Sequence, residues 1–263
     1  MRKNKIYKMM IGAIIGMAML SGCGKEKEIT DSFEKTLSVY PTPNLEDWYD
    51  REGYRDDNFD KNDKGMWILS SDMAIPKGSD LVSEGLVLKF NRNTKKAEGY
   101  FYIRKHYVKD DVPGTKEEKY LVKMEKNKII PTQDIQDEKL KRKIENFKFF
   151  SQYGNFKKLS EYNKETSSYN PNVPSYSIEY QLTNEDDNVK KIRKRYPIPT
   201  DNAPKLELKG TGDLKGSSVG YRQLEYQFKI GGKRVLYSDA ISYQPTERGL
   251  EWEKSNISNN FTF

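Results

Sequence analysis

The chain contains a single cysteine, Cys23, within the stretch MLSGCGKEKE at residues 19–28. A lone thiol beside two glycines could act as a nucleophile, a redox group, an intermolecular disulfide partner or an attachment point. The chain opens with the basic segment MRKNKIYK and continues with the uncharged, mostly apolar segment MMIGAIIGMAML at residues 9–20. A basic start followed by a short apolar run and small residues is typical of a secretory signal peptide. The apolar run is shorter than the roughly 20 residues that a membrane-spanning helix needs.

The residues Leu20, Ser21, Gly22 and Cys23 match the pattern of a bacterial lipobox, in which a peptidase cuts before the cysteine. Small side chains leave the bond between Gly22 and Cys23 accessible, and the Cys23 thiol is the group that accepts diacylglycerol. The sequence therefore predicts a signal peptide at residues 1–22 and acyl chains such as palmitate on Cys23. Because two or three acyl chains hold a protein firmly at a membrane, we expect a protein anchored on the outer face of the cell membrane without spanning it.

Other residues that could do chemistry are few. His106 is the one histidine, and with Cys23 acylated the chain lacks the residues for Cys–His catalysis or for a zinc site of histidine and thiolate ligands. Composition leaves a Ser–His–Asp site open, but the G-x-S-x-G motif is absent. We interpret His106 as a half-exposed strand residue that shares a face with Tyr102 and Arg104. The sequence predicts no catalytic centre, no metal, no cofactor and no enzyme activity.

The acidic loop at residues 50–65 is the remaining place where a cation could bind. The run DKNDKG at residues 60–65 places Asp, Asn and Gly at the first, third and sixth positions of an EF-hand calcium loop. The fifth and twelfth positions are Lys64 and Ser71, whereas a calcium loop needs oxygen ligands there, including a bidentate glutamate. We favour a solvated loop, and the sequence leaves cation binding in it open.

A run of cationic residues is the best candidate binding surface, formed by Lys190, Lys191, Arg193, Lys194 and Arg195. One interpretation is contact with a polyanion, such as anionic lipid headgroups, teichoic acid or a polyanion of a host surface. The other is a solvated strand or helix end whose charge is balanced by Glu185, Asp186 and Asp187. Nucleic acid is a poorer candidate, because an exported protein does not share its compartment.

Composition also weakens the case for nucleic-acid binding. Removing residues 1–22 lowers the formal net charge from +7 to +3, because that segment holds four of the 46 Lys and Arg residues and none of the 39 acids.

The remaining 241 residues suffice for one large or two small domains. They contain no second cysteine and must fold without an intramolecular disulfide. Tyr outnumbers Phe 18 to 11, which favours a tyrosine-rich sheet core.

Hydrophobic periodicity places the elements around these candidate sites. Spacing near 3.6 predicts a helix from Thr30 or Asp31 to Tyr40, a short helix capped by Asn44, and a helix over residues 137–150. Alternation with a period of two predicts strands in the segments GMWILSS, GLVLKF, EGYFYIRKHYV, KYLVKME, KIIP, YSIEYQL, KLELK, RQLEYQFKI and KRVLYSDAISY.

The last two of these strands form the clearest hairpin. The Gly-Gly pair at residues 231–232 suits a type I′ turn, and the resulting register sets Phe228 opposite Val235 on one face. Asp239 then falls opposite Leu224 on an otherwise apolar face, for which a bulge or a sheet edge would be an explanation.

Together these elements predict an α+β fold of antiparallel β-meanders with a few helices packed on one side. We expect a signal peptide at residues 1–22, the acylated cysteine and a polar tether at residues 23–29, and a globular α+β domain over residues 30–263. Low apolar content near residues 150–172 marks a weak internal boundary, so two similar sheet-bearing halves could form one sheet or two. The sequence predicts neither the strand order nor the oligomeric state.

Four blocks of the sequence are distinctive: L-S-G-C at residues 20–23, YPTPNLEDWYDREGYRDDNFDKNDKGMW, EGYFYIRK and RQLEYQFKIGGKRVLYSDAISYQP. In these blocks the chain resembles the staphylococcal tandem lipoproteins, also called the conserved staphylococcal antigen family, over about residues 1–250. The resemblance implies an acylated surface lipoprotein with no established enzymatic activity, associated with innate immune stimulation and host-cell interaction. It carries over one functional residue, Cys23.

The sequence therefore predicts a membrane-anchored surface lipoprotein that acts through interaction with a host cell or with the envelope. The first alternative is a solute-binding lipoprotein of a transporter, which predicts βαβ alternation and a deep cleft between domains. The second is a cell-wall hydrolase, which predicts a cleft with two carboxylates at hydrolytic spacing.

Overall fold

The computed structural model describes residues 24–53, 55, 59–109, 112–172, 175–212 and 222–247. Its strands and α-helices are, in chain order, α1 over residues 24–37, β1 Met66–Lys77, β2 Asp80–Asn91, β3 Lys96–Lys109, β4 Val112–Glu125, β5 Lys128–Pro131, α2 Glu138–Glu145, β6 Asn163–Asn170, β7 Ser175–Gln181, α3 Asp187–Arg195, β8 Lys205–Thr211, β9 Arg222–Ile230 and β10 Lys233–Gln244. Short 3-10 helices lie at Leu45–Tyr49, Phe150–Gln152 and Leu159–Glu161.

The ten described strands belong to one antiparallel sheet with the order β5-β4-β3-β2-β1-β10-β9-β8-β7-β6. Two five-stranded meanders, β1–β5 and β6–β10, therefore lie side by side, and the first and last strands join them. In this joint, β1 pairs with β10 from Met66 opposite Gln244 to Ala74 opposite Leu236. The predicted α+β fold of antiparallel meanders is confirmed, and its two halves form a single continuous sheet.

The helices pack on one face of the sheet, which we call the covered face. Helix residues and alternate strand residues form one buried cluster there, which includes Phe33, Trp48, Trp67, Leu69, Leu88, Ile144, Phe150, Ile178, Ile192, Leu208, Tyr226 and Tyr237. The intervening strand positions point to the opposite, open face, where Met66, Ile68, Val87 and Tyr102 form a separate small cluster. An antiparallel sheet with one packed and one mostly polar face accounts for the period-two pattern of the sequence.

Helix α1 includes residues that the sequence predicts as a tether. Residues 24–29 are helical, although the helix was expected to start at Thr30 or Asp31. Ile29 is buried together with Phe33 and Leu37. These three residues repeat every four positions and form one apolar stripe, so Ile29 extends the helix by a turn toward its N-terminus.

The stretch near residues 150–172, predicted as a weak boundary, lies within this single sheet structure. Phe150 and Leu159 are buried in the main core, and the following strand β6 forms one edge of the sheet. All eight residues of β6 are exposed. A strand without a buried face shows no apolar alternation, which explains why the sequence reads here as a low-apolar linker.

Asp239 lies where the two meanders join. The predicted register is confirmed, with Leu224 directly opposite Asp239, and the pairing there is regular rather than bulged. The buried carboxylate accepts hydrogen bonds from the hydroxyl of Ser71, its partner on β1, and from the hydroxyl of Tyr40 at 2.6 Å. Burial raises the pKa of Asp239 to about 6. Asp239 thus forms a buried polar link between β1, β10 and Tyr40 in the segment that follows α1.

Candidate functional site

A cleft of about 890 Å³ opens on the covered face between the C-terminal ends of α2 and α3. This volume lies within the range of roughly 300–1,000 Å³ that is usual for small-molecule sites. The lining comes from strands β1–β3, the segment around the end of α2, and the end of α3. The lining residues are Met73, Ile75, Lys77, Val82, Glu84, Phe101, Lys143, Asn146, Phe147, Lys148, Tyr153, Lys191, Lys194, Arg195, Tyr196 and Pro197.

The floor of the cleft is apolar because three strands present one face to it. Met73 and Ile75 of β1 are two residues apart and therefore point the same way. Ile75 stands directly opposite Val82 of β2, and both are half-buried. Phe101 of β3 completes the strand part of the floor, and the ring of Phe147 packs against it with centroids 6.2 Å apart.

The rim of the cleft is cationic. Among the residues that the structure describes, six Lys and Arg side chains line it together with one carboxylate, that of Glu84. Glu84 forms a salt bridge with Lys143. Within the described part of the chain, Lys77, Lys148 and Lys194 form no salt bridge, so the rim carries excess positive charge.

Helix α3 brings part of the predicted basic run to this rim. The Asp186 side chain caps the helix by accepting hydrogen bonds from the backbone N–H groups of Asn188 and Val189, at 2.9 and 3.1 Å. Val189 and Ile192 are buried and fix the rotation of the helix against the sheet. The basic last turn also suits the negative end of the helix dipole.

Two of the five predicted cationic residues have other partners. Lys190 forms an exposed salt bridge with Glu185 at 2.6 Å, which holds the pKa of Glu185 below its usual value. The Arg193 guanidinium donates to the backbone oxygens of Thr200 and Asn202, at 2.5 and 2.9 Å. These contacts tie the loop after α3 to the helix, so Lys190 and Arg193 do not line the cleft.

The other three, Lys191, Lys194 and Arg195, do line it. The Lys191 ammonium donates to the backbone oxygen of Tyr153 at 3.0 Å, and the Arg195 guanidinium lies 4.2 Å from the centroid of the Tyr153 ring. Burial raises the pKa of Tyr153 well above its usual range, and it raises that of Tyr196 to about 12. These phenols remain neutral near pH 7, so the charge of the cleft comes from its Lys and Arg residues.

The arrangement favours binding over acid–base catalysis. Hydrolysis of a glycosidic bond uses two carboxylates that flank the bond, and the described lining of the cleft has only Glu84. The ring of His106 lies on β3, away from this lining, with Nδ1 3.0 Å from the hydroxyl of its cross-strand partner Thr115.

The acidic loop has a structural role at Asp63. Its carboxylate accepts hydrogen bonds from Gly65, Asn93 and Thr246, at distances of 2.6–2.8 Å. These hydrogen bonds hold the pKa of Asp63 at about 2 despite its partial burial, and they fasten the loop to the end of β10. Among the residues that the structure describes, no group of three or more His, Cys, Asp or Glu side chains could hold a metal ion.

The predicted cleavage and acylation residues, Gly22 and Cys23, lie outside the described residues. Sequence reasoning missed the strand and α2 contributions to the cleft. Met73, Ile75 and Lys77 are spaced two residues apart on β1 and therefore lie on one face. This spacing could have indicated the strand part of the cleft. Lys143 falls within the helix predicted over residues 137–150, but its sequence context did not place it in a site. Nothing in the sequence shows that α2 and α3 end beside each other.

Comparison with known proteins identifies the family. A model of the Csa1 family matches residues 25–246. The chain belongs to the Csa1 family. An uncharacterized lipoprotein of Staphylococcus aureus strain N315 is 55% identical over 251 residues, covering 94% of this chain and 98% of the relative. One from Staphylococcus epidermidis strain RP62A is 55% identical over 246 residues, covering 90% and 95%. The predicted staphylococcal lipoprotein family is confirmed.

The match to the Csa1 family covers all of the described strands and all of the residues that line the cleft. The relatives are named as lipoproteins, and their names assign no catalytic activity. Within the described residues, no helix has both the length and the apolar character required to cross a membrane.

Proposed function

We propose that this member of the Csa1 family is a lipid-anchored surface protein that binds an anionic component of a host surface or of the bacterial envelope. The observation that carries the proposal is the convergence of Lys191, Lys194 and Arg195 with further lysines on one cleft. The lipobox ending at Cys23 and the lipoprotein names of the relatives support anchoring by acyl chains on the extracytoplasmic face. Innate immune stimulation through those acyl chains belongs to the same proposal.

The position of α1 supports access of a partner to the cleft. The helix is already formed at residue 24, directly after the predicted acylation site, and its first turns lie against β6. There the Lys25 ammonium lies 4.6 Å from the Tyr169 ring centroid, and Glu26 pairs with Lys164. The cleft floor on β1 is five strands away from β6, or roughly 24 Å at the usual strand spacing. The start of α1 and the cleft therefore lie in different parts of the described domain.

Charge neutralisation at the rim tests the proposal. The variant Lys191→Gln/Lys194→Gln/Arg195→Gln removes three charges from the cleft in the full, membrane-anchored chain. Since one Lys or Arg near an anionic surface contributes about 1 kcal/mol, we expect association with host cells or cell-wall extracts to fall at least about tenfold. The remaining association should depend less on salt, because screening weakens exposed charge interactions.

A matched control removes the same charge elsewhere. Lys96, Lys128 and Lys229 are exposed and do not line the cleft, so their replacement by Gln should leave association nearly unchanged. Equal losses in the two triple variants would show that net charge alone is responsible. Unchanged, salt-insensitive association of the rim variant would show that binding uses another surface.

The alternative functions receive less support. A transporter's solute-binding lipoprotein was expected to show βαβ alternation and a cleft between domains, whereas the described strands form one antiparallel sheet. A cell-wall hydrolase was expected to bring two carboxylates together, and Glu84 is the one carboxylate in the described lining.

A further inference from the structure

We infer that the cleft binds a single-chain anionic amphiphile, with its hydrocarbon chain on the strand floor and its carboxylate or phosphate headgroup at the cationic rim. This inference rests on the proposed function, because it names the class of anion that the same cleft takes. It is carried by the combination of an apolar floor with a rim of unbalanced positive charge.

The floor requires an apolar part in the ligand. Ile75 and Val82 face each other across β1 and β2 and are half-buried, and Met73 and Phe101 lie beside them. A purely polar anion would bind at the rim and leave the half-buried side chains of Ile75 and Val82 in contact with water. A hydrocarbon chain would remove the same apolar surface from water, which is favourable in proportion to its area.

The strand backbone argues for a hydrocarbon rather than a peptide. β2 and β3 each pair with a neighbour on both sides, and β1 pairs with β10 as far as Ala74, so little of the floor is a sheet edge to which a peptide could add as a strand. A peptide backbone pressed onto this floor would lose water without gaining hydrogen-bond partners, which is costly. A hydrocarbon chain has no polar groups and pays no such cost.

The rim supplies the complement to a charged headgroup. Lys77 ends β1, Lys148 follows α2, and Lys194 lies in the last turn of α3, so cations approach the cleft from three sides. The Glu84 carboxylate is engaged by Lys143 and does not balance these three. A carboxylate or phosphate at the mouth of the cleft would satisfy them while the chain remains on the floor.

Photo-crosslinking in the membrane-anchored full chain tests the inference. The protein is reconstituted in phosphatidylcholine nanodiscs and exposed to a lysophosphatidic acid that carries a diazirine at the end of its acyl chain. We expect cross-links to map by mass spectrometry to residues 73–82, Phe101 or Phe147. Unlabelled competitors should lose about tenfold in potency when the acyl chain is shortened by two methylene groups.

Two variants test the contributions of the floor and of the rim to binding separately. Val82→Trp fills the floor and should reduce cross-linking in the cleft at least fivefold, whereas the control Leu121→Trp, at an exposed position of β4, should not. Lys194→Gln/Arg195→Gln should weaken labelling by the lysophosphatidic acid probe but not by a neutral monoacylglycerol probe of equal chain length.

Several outcomes would overturn the inference. Competition by inorganic phosphate as strong as that by the amphiphile, or competition independent of chain length, would indicate a simple anion site and leave the proposed function standing. Equal labelling by the neutral and anionic probes in the unmodified protein would show that the charge of the headgroup does not contribute to binding. Cross-links outside the cleft, or displacement by an acidic peptide alone, would also contradict it. Failure of the proposed function itself is detected separately, by unchanged host or cell-wall association of the triple rim variant.

Discussion

The side chain of Asn188 binds the backbone of Asn155 by two hydrogen bonds. Its Oδ1 accepts from the Asn155 N–H at 2.9 Å, and its Nδ2 donates to the Asn155 oxygen at 2.8 Å. Asn188 is only 1% exposed. This pair fastens the first turn of α3 to the segment that carries Tyr153, and so fixes one wall of the cleft relative to another.

Replacement of Asn188 by Ala should therefore destabilise the protein. The change leaves the backbone groups of Asn155 without their partner, which costs about 1–3 kcal/mol for groups removed from water. Chemical denaturation should show a lower transition midpoint, with little change in its slope. The control Asn172→Ala, at an exposed position, should stay within about 0.5 kcal/mol of the unmodified protein. Similar effects in both variants would contradict the assigned role.

Buried Asp239 predicts a pH dependence of stability. Its pKa of about 6 in the folded protein lies above the ordinary value near 3.9, so the folded chain holds this proton more tightly than the unfolded chain. The free energy of unfolding should consequently fall as the pH rises from about 4 to 6, by at most about 3 kcal/mol. Below this window the contribution is fully present.

The Asp239→Asn variant should lose the part of that dependence that Asp239 contributes. Asp72, whose pKa burial raises to about 7, should still produce a decline that continues toward pH 7 in the same variant. Exposed Asp201→Asn provides the control and should retain the slope of the unmodified protein. Urea titrations at half-unit pH intervals measure these differences, and an unchanged slope in Asp239→Asn would show that the carboxyl does not titrate in this range.

Gly99 allows β3 to approach β2 closely. A Cβ atom at this position would lie 1.9 Å from the backbone oxygen of Val87, which neither strand can avoid without moving. Gly99→Ala should therefore lower the free energy of unfolding by about 2 kcal/mol or more. Gly24→Ala is the control, because its Cβ would meet nothing within 4 Å and alanine favours a helix. A near-neutral Gly99→Ala variant would show that the strands can separate there.

Membrane anchoring depends on Cys23 in the proposed function. A Cys23→Ala chain should lose acylation and either appear in the medium or accumulate as an uncleaved precursor. Metabolic labelling with an alkyne fatty acid, followed by cell fractionation, measures both effects. A cleaved and acylated Cys23→Ala product would show that the lipobox has been assigned to the wrong residues.

Much of the sheet could be predicted because most of its strands bury one face. The strands β7, β8, β9 and β10 show clear alternation in sequence, and the hairpins at residues 126–127 and 231–232 turn at positions with positive φ. β6 could not be found in this way, since none of its residues is buried. The strand pattern could not explain the buried Asp239, because its hydrogen-bond partners, Ser71 and Tyr40, lie more than 160 residues away in the chain.

The candidate site was predicted only in part. The basic run was identified from local composition, but its division into cleft-lining and structural residues depends on the rotation of α3, which Val189 and Ile192 determine by packing. The floor is formed by strands that precede α3 by about one hundred residues. Predicting such a site requires the strand order. The pairing of β1 with β10 sets this order, and no local sequence signal indicates that pairing.

That joint has a consequence for how the molecule folds. Every other strand pair connects neighbours in the chain, whereas β1 and β10 bring together Met66 and Gln244. Long-range contacts form late because chain entropy is lost before they are gained, so we expect each meander to assemble by itself and the pairing of β1 with β10 to come last. Until then β1 and β10 each have one side without a strand partner, and that side remains open to other chains. A chain that ends before β10 should therefore aggregate through β1.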